Sequence, residues 1–499
     1  MTLKSCQNPT SEAHVMSRIP QTTALVLLLA LPLHRTEAQE LPPEDPKPGA
    51  GQEEPTLNDK AETAYVSGQF ANTIRLSDQR LEAAPNDHVA LYLRASARIE
   101  VGRAARNREQ VRAGIADARK AIELGGATNT KYYLPYLYGM STLAEVENKP
   151  EHAKTAAKTA NQLINVEQNK DIKANLLYQR ARINVALRKY SNAELDFRQA
   201  ITANNLIGAW SGLAEMYMNT KRPNRARETF DEAIRSFPNN PMLLNNRGLF
   251  LQRTGQGALA LPDFTSAIKL NPGFTAAYIN RGYAQLAMND PAAAELDFSA
   301  ALGLQPDQPT ALRLRAGCHL LQKRAPLAID DLQAAMKLAP NTATQIDLGF
   351  ANLINLQFKA SAELLDEAQK ADPALRHIQP WRYAAMIGAK QADDARRQYA
   401  ASLARVKTNA ADTAWADWIV AILAGDIQEP RFLAAANVDP AKRLGRTTEA
   451  YFFLGLRSEI EGDLKTAAAH YRKSIATKRA DLAAYRGALI GLDRTSRAK

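Results

Sequence analysis

The stretch LNNRGLFLQRTGQGALALPDFTSAIKLNP, residues 244–272, decides the fold once it is laid beside its neighbours. Residues 278–306 read YINRGYAQLAMNDPAAAELDFSAALGLQP, and residues 312–340 read LRLRAGCHLLQKRAPLAIDDLQAAMKLAP. AWSGLAEMYMNTKRPNRARETFDEAIRSFP, residues 209–238, falls into the same register. Pro238, Pro272, Pro306 and Pro340 recur at an interval of 34. At fixed offsets before them stand Ala226, Ala260, Ala294 and Ala328, then Phe230, Phe264, Phe298 and Leu332, then Ala233, Ala267, Ala301 and Ala335. The spacing predicts two helices per unit. Small residues let the helices approach, the large one fills the gap between them, and the proline ends the second helix because it cannot continue the ladder.

This unit resembles the tetratricopeptide repeat. Trp210, Leu213, Ala214, Tyr217, Ala226, Phe230, Ala233 and Pro238 stand where that family has its aromatic, Leu, Gly/Ala, Tyr, Ala, Phe, Ala and Pro. The match is specific over residues 174–374. Weaker units, starting near 54, 88 and 134, fill residues 57–173, and the second carries the basic insertion GRAARNREQVR (102–112) between its helices. Residues 375–446 leave room for two degenerate units around Trp381 and Trp415. A last clear unit, YFFLGLRSEIEGDLKTAAAHYRKSI (451–475), and a capping helix over DLAAYRGALIGL (481–492) occupy residues 447–499; arrays of this kind need a polar cap. The resemblance implies an all-α, right-handed superhelical solenoid of about twelve helical hairpins, with the first helix of each hairpin lining a concave groove.

Arg281 sits in the packing stripe of a first helix, beside Ala277, Tyr278 and Gly282. A buried arginine is costly unless paired, so it either holds a ligand or forms half of a structural pair. With the aromatic as position 4, Arg281 is position 7. That position is arginine in five units, Arg94, Arg180, Arg247, Arg281 and Arg315, and position 23 on the second helix is aspartate in the same five, Asp117, Asp196, Asp263, Asp297 and Asp331. Where position 7 is Met140, Leu213, Leu348 or Leu454, position 23 is Ala156, Thr229, Leu364 or His470. Two positions that switch together within one chain are expected to meet across the hairpin, as a guanidinium meets a carboxylate with two hydrogen bonds.

The chain has 499 residues, is 45% hydrophobic and 23% charged, and carries a net charge of +11 with a pI near 9.4. This is globular composition, and the basic excess permits contact with an anionic surface or polymer. No long Lys/Arg block is present, and nothing points to specific nucleic-acid recognition. MSRIPQTTALVLLLALPLHRTEAQE, residues 16–40, has the form of an export signal: Arg18, an apolar run from Thr22 to Leu33 and small Ala38 at a cleavage site. That run is too short to span a bilayer comfortably. The expected organisation is a signal over residues 1–38, with Met16 the expected start, and a proline-rich tether over residues 39–56. Removing residues 1–38 takes away three basic and two acidic residues and leaves +10. Only Cys318 then remains, so no intrachain disulfide forms, and no cysteine stands at the signal's end for a lipid.

Chemistry is thinly represented. The seven histidines, at 14, 34, 88, 152, 319, 377 and 470, form no HExxH and no ligand spacing with a cysteine, and GxxxxGK[ST], GxGxxG and GxSxG are missing. Cys318 and His319 are adjacent, and adjacent helical residues point in different directions. The sequence therefore reads as a non-enzyme without cofactor or metal. In repeats of this family that bind extended peptides, positions 2, 5, 6, 9, 12 and 13 of the first helix face the groove. Position 6 gives Gln179, Asn246, Asn280 and Asp347; the amides among them are able to bond a peptide backbone of any sequence. Positions 5, 9 and 12 add Ile279, Tyr283, Leu286, Arg313, Leu320, Ile346, Phe350 and Leu353, an apolar stripe with one cation. The other reading of these residues is packing against neighbouring first helices. The lysine–asparagine clamp of chaperone-tail-binding members is not matched.

AWADWIVAILAGDI (414–427) and EAYFFLGLRSEIEGDLKTAAAHYRKSI (449–475) are similar to the C-terminal part of NlpI-type envelope lipoproteins, over about residues 412–476. Those proteins are repeat adaptors that bring together peptidoglycan hydrolases and a periplasmic protease. The resemblance implies an exported, periplasmic scaffold of a Gram-negative cell, binding protein or peptide partners of that kind and without a transmembrane span. Two alternatives stay open: a structural subunit of an envelope assembly or secretion complex, and a binder of an anionic polymer.

Overall fold

A computed structural model describes residues 55–66, 68–126, 128–408 and 414–497. The expected signal (1–38) and all but Pro55 and Thr56 of the expected tether lie outside the described residues. The described residues are α-helical with no strand, and none of their helices is long and apolar enough to cross a membrane. The chain divides into two compact units, with the division inside one helix.

In residues 28–280 the helices pair in chain order. The pairs are α1 (Leu57–Val66) with α2 (Phe70–Ala83), α3 (His88–Ala104) with α4 (Arg108–Gly125), and α5 (Tyr133–Val146) with α6 (Pro150–Val166). Then come α7 (Lys170–Ala186) with α8 (Tyr190–Asn204), α9 (Ile207–Asn219) with α10 (Pro223–Ser236), and α11 (Pro241–Arg253) with α12 (Gly257–Leu270). The division falls in α13 (Thr275–Ala287). Residues 281–499 continue with α14 (Pro291–Leu304), α15 (Pro309–Leu321) with α16 (Ala325–Leu338), and α17 (Thr342–Ile354) with α18 (Phe358–Ala371). They end with α19 (Gln379–Gly388) beside α20 (Ala392–Gln398) and α21 (Ala400–Thr408), α22 (Trp415–Leu423) with α23 (Glu429–Ala436), α24 (Arg443–Ile460) with α25 (Leu464–Ile475), and a final α26 (Ala483–Arg497).

One turn recurs between the two helices of every pair. The αL conformation falls on Gly68, Arg106, Asn148, Arg188, Lys221, Gly255, Asn289, Lys323, Leu356, Lys390, Gly425 and Gly462. The N–H of the next residue returns to the carbonyl five residues back at 2.7–3.0 Å, from Gln69→Ala64 through Asp463→Ser458. This is the 6→1 bond that closes a helix C-terminus. These twelve turns mark twelve hairpins, including the degenerate ones around Trp381 and Trp415. Starts are less uniform, and a side chain caps only some of them. Asp87, Asn107, Asn169, Asn240, Asp290, Asn341 and Asp463 accept backbone N–H groups at helix N-termini. The four second helices before Pro238, Pro272, Pro306 and Pro340 end two residues short of the proline. A non-glycine residue in αL costs about 1–2 kcal/mol, of which glycine's lost entropy offsets a part. Lys221 is exposed. Lys221→Gly is therefore expected to stabilise the protein by about 0.5–1 kcal/mol, read as a higher urea midpoint; a lower midpoint would refute this account of the turn.

Packing follows the repeat. Ala226, Ala260, Ala294 and Ala328, Phe230, Phe264 and Phe298, and Ala233, Ala267, Ala301 and Ala335 are all fully buried. The fit is close enough that a Cβ on Gly248 of α11 would stand 2.6 Å from the Phe264 ring of α12. Each of the five arginines meets its aspartate through two hydrogen bonds, Nη2 to Oδ1 at 2.5–2.7 Å and Nε to Oδ2 at 2.8–3.0 Å. The aspartates are only 3–9% exposed. Several arginines spend Nη1 on the preceding second helix, Arg94 on Asp78, Arg247 on Asp231 and Arg315 on Ser299, and so tie three helices together. The carboxylates also take a neighbour from the first helix: Arg98 on Asp117, Asn184 on Asp196 and His319 beside Asp331. Burial alone would raise the Asp331 carboxyl; the bonds from Arg315 and His319 outweigh it and hold the group below its ordinary value.

The insertion at 102–112 does not form a loop. Arg94 and Asp117 are 23 residues apart, where the other four pairs are 16 apart. The extra seven residues are taken up as added helix, because α3 and α4 have 17 and 18 residues where α11 and α12 have 13 and 14. One added turn in each helix, at about 3.6 residues per turn, restores the facing register.

Candidate protein-binding cleft

In residues 28–280 the first helices α1, α3, α5, α7 and α9 lie side by side and line one cleft. It has room for about 50 Å³. Tyr65, Tyr92, Tyr138 and Tyr178 come from four successive first helices, with Leu93, Leu134 and Leu206 between them. Tyr138 and Tyr178 are each 5% exposed and form the floor. Burial pushes the phenols of Tyr92 and Tyr138 well above their ordinary value, so both stay protonated. The Tyr138 hydroxyl accepts from Arg103 Nε at 2.8 Å, and Arg103 pairs with buried Glu100. The Arg182 guanidinium stacks over the Tyr138 ring at 4.2 Å.

Gln179 lies in this cleft, 5% exposed, and its Oε1 has no hydrogen-bond partner. Arg182, one turn further along α7, has Nη1 buried and also unpartnered. Arg182 does not line the cleft, so the group a peptide backbone can satisfy there is the Gln179 oxygen, which lacks a donor.

The other groove candidates are spent on neighbours. Asn246 donates to Ser211 Oγ at 3.2 Å and Asn280 to Asn245 Oδ1 at 2.8 Å. Arg313 pairs with Asp347 at 2.6 Å. All three contacts join position 5 of one first helix to position 6 of the next, a lateral polar ladder. Tyr283 is half-buried, and burial raises its phenol. Phe350 stacks on Trp381 with ring centroids 4.2 Å apart, and Trp381 packs in turn on Phe452 and Phe453 of α24.

Within residues 281–499, α26 covers the same face of α15 and α17. Arg494 of α26 donates to the Ile354 carbonyl at 2.9 Å and grips Glu459 with two bonds at 2.6 and 2.7 Å. Lys323 reaches Asp493 at 3.4 Å. Gly487 sits so close to Phe452 and Ile354 that a Cβ there would be 2.5 and 3.1 Å away. The helix expected as a cap thus packs on the last hairpin and also fills groove positions of earlier first helices. Sequence reasoning missed this because a contact across 140 residues leaves no periodic trace.

Cys318 is fully buried, and burial pushes its thiol up to about 12, leaving it protonated and unreactive at neutral pH. His319 turns to Asp331 and Glu295. Among the described residues no three His, Cys, Asp or Glu gather as metal ligands.

No curated protein matches the chain. Solved structures resemble parts of it. The pilF structure from Pseudomonas aeruginosa is 20% identical over 41% of this chain and 94% of its own, with a TM-score of 0.37. PilW, a type IV pilus biogenesis factor, is 21% identical over 40% and 94%, with a TM-score of 0.37. YrrB, a TPR protein with an unusual peptide-binding site, is 21% identical over 38% and 96%, with a TM-score of 0.30. The tetratricopeptide repeat model matches residues 178–241 and 279–343, so the chain carries tetratricopeptide repeats over those two stretches.

Proposed function

We propose that this chain is an exported, non-catalytic scaffold that binds protein or peptide partners, and that the cleft of α1, α3, α5, α7 and α9 is where it binds them. The observation that carries the reading is the buried, unpartnered Oε1 of Gln179 in a cleft walled by tyrosines from successive helices. A buried polar atom without a partner costs about 1–3 kcal/mol, which an extended backbone crossing α7 would recover. Tetratricopeptide repeats are typically interaction scaffolds, which supports the non-catalytic reading. Export rests on the signal-like residues 16–40, and partners among wall hydrolases or a periplasmic protease rest on the likeness of residues 412–476 to envelope adaptors.

The test is affinity capture from cell envelopes with the parent chain beside a Tyr65→Ala, Tyr92→Ala variant. Both side chains are only half-buried, so the hairpins should survive the change. Envelope enzymes retained by the parent and reduced at least ten-fold by the variant are the expected result. Equal recovery of the same proteins by both would move the site away from this cleft.

A further inference from the structure

The cleft lies beside a tract of the chain with matching chemistry. We propose that residues 39–54, QELPPEDPKPGAGQEE, dock in cis as an extended ligand of the tyrosine cleft. This rests on the peptide-binding reading above and names the occupant.

Four observations carry it. First, Pro42, Pro43, Pro46 and Pro48 fall within seven residues. Such a tract favours the polyproline II helix, which is already ordered before binding and is recognised by aromatic-lined grooves. Tyr65, Tyr92, Tyr138 and Tyr178 provide such a lining. Second, α7 offers an acceptor in the cleft lining, Gln179 Oε1, which is buried and unpartnered. The tract's non-proline residues supply N–H groups for it. Third, the net charges of the two segments are opposite, −4 over residues 39–54 and +9 over residues 57–280, although the charged residue in the cleft lining itself is Glu62. Glu62, the carboxylate on the cleft wall, lies near Lys131. Fourth, the tract is tethered at the cleft. It joins α1 through Pro55 and Thr56, and α1 contributes Glu62 and Tyr65 to the wall. Sixteen residues at about 3.1 Å each reach about 50 Å, ample to cross five helices' lining, and the tether makes the local concentration high.

An occupied cleft resists the same peptide added from outside, and this makes the idea testable on the full chain. The probe is a labelled synthetic peptide of residues 39–54. Against it stand the unsubstituted chain, a chain with Pro42→Ser, Pro43→Ser, Pro46→Ser and Pro48→Ser, and that chain with Tyr92→Ala and Gln179→Leu added. The serine chain is expected to bind at least ten-fold tighter than the unsubstituted chain, and the cleft changes are expected to abolish the gain. No binding to the serine chain, or equal binding to the first two, overturns the proposal. A second peptide, with alanine at the four prolines and every charge kept, separates the two levels of the argument. If only the alanine peptide binds, the cleft is a peptide site and this occupant is wrong. If both bind equally, charge alone suffices and the proposal also falls. If neither binds, the peptide-binding reading of the cleft falls with it.

Discussion

Asp297→Ala is expected to lower stability by about 3 kcal/mol, whereas Arg281→Leu combined with Asp297→Leu should cost far less. The physical reason is asymmetry. Two charges taken out of water together recover most of their desolvation through the bidentate bond, but one left alone recovers nothing. Asp297 is 6% exposed and holds Arg281 at 2.7 and 2.8 Å. Without it the guanidinium, 22% exposed, stays in a site shaped for a pair. The chain itself shows that the apolar alternative packs. In the α9–α10 hairpin the same two positions are Leu213, 1% exposed, and Thr229, whose hydroxyl bonds back to the Arg225 carbonyl at 2.8 Å. Denaturant unfolding of both variants would decide it. Equal loss in the two would mean that the pair is dispensable and that Asp297 matters for some other contact.

The hairpins and their core were legible in the sequence because a repeat states every packing position many times. One alanine or phenylalanine means little; four at an interval of 34 define a helix face. The Arg–Asp pairs were legible for the same reason, since five hairpins carry both residues and the hairpins of Met140, Leu213, Leu348 and Leu454 carry neither; the degenerate α19–α20 hairpin keeps the arginine, Arg382, and sets Gln398 against it. The turns were not. Their αL residue is Gly68, Gly255, Gly425 or Gly462 in some hairpins but Arg106, Arg188, Lys221, Lys323, Leu356 or Lys390 in others, because the two packed helices impose the conformation whatever residue stands there. The lateral ladder was within reach and went unread: Ser211 with Asn246, Asn245 with Asn280 and Arg313 with Asp347 lie 34 or 35 residues apart, one repeat on. Gln179 has the same register, but the first helix before it presents Tyr138 there, and its Oε1 is left without a partner.

Gly487→Leu is expected to lift α26 from α15 and α17. A Cβ at this position already meets the Phe452 ring at 2.5 Å and Ile354 at 3.1 Å, and the remaining leucine atoms have nowhere to go. Overpacking of this kind costs about 1–3 kcal/mol while the helix holds. If it leaves, Glu459, 6% exposed, loses both bonds from Arg494 and keeps the one from the Tyr471 hydroxyl, and that loss adds the cost of a buried carboxylate without its cation. The change should lower the melting temperature and open tryptic cleavage after Arg486 and Arg494 at least ten-fold faster than in the parent. Gly303→Leu is the control, since nothing lies within 4 Å of a Cβ there; it should leave both readouts near the parent's. Unchanged protease resistance in Gly487→Leu would mean that α26 is held by the α24–α25 hairpin alone. The outcome also bears on binding. While α26 stays seated, the groove face of α15 and α17 is filled by the chain itself. A Gly487→Leu chain that gains envelope partners would show that the covered face is a second site, held closed by this helix.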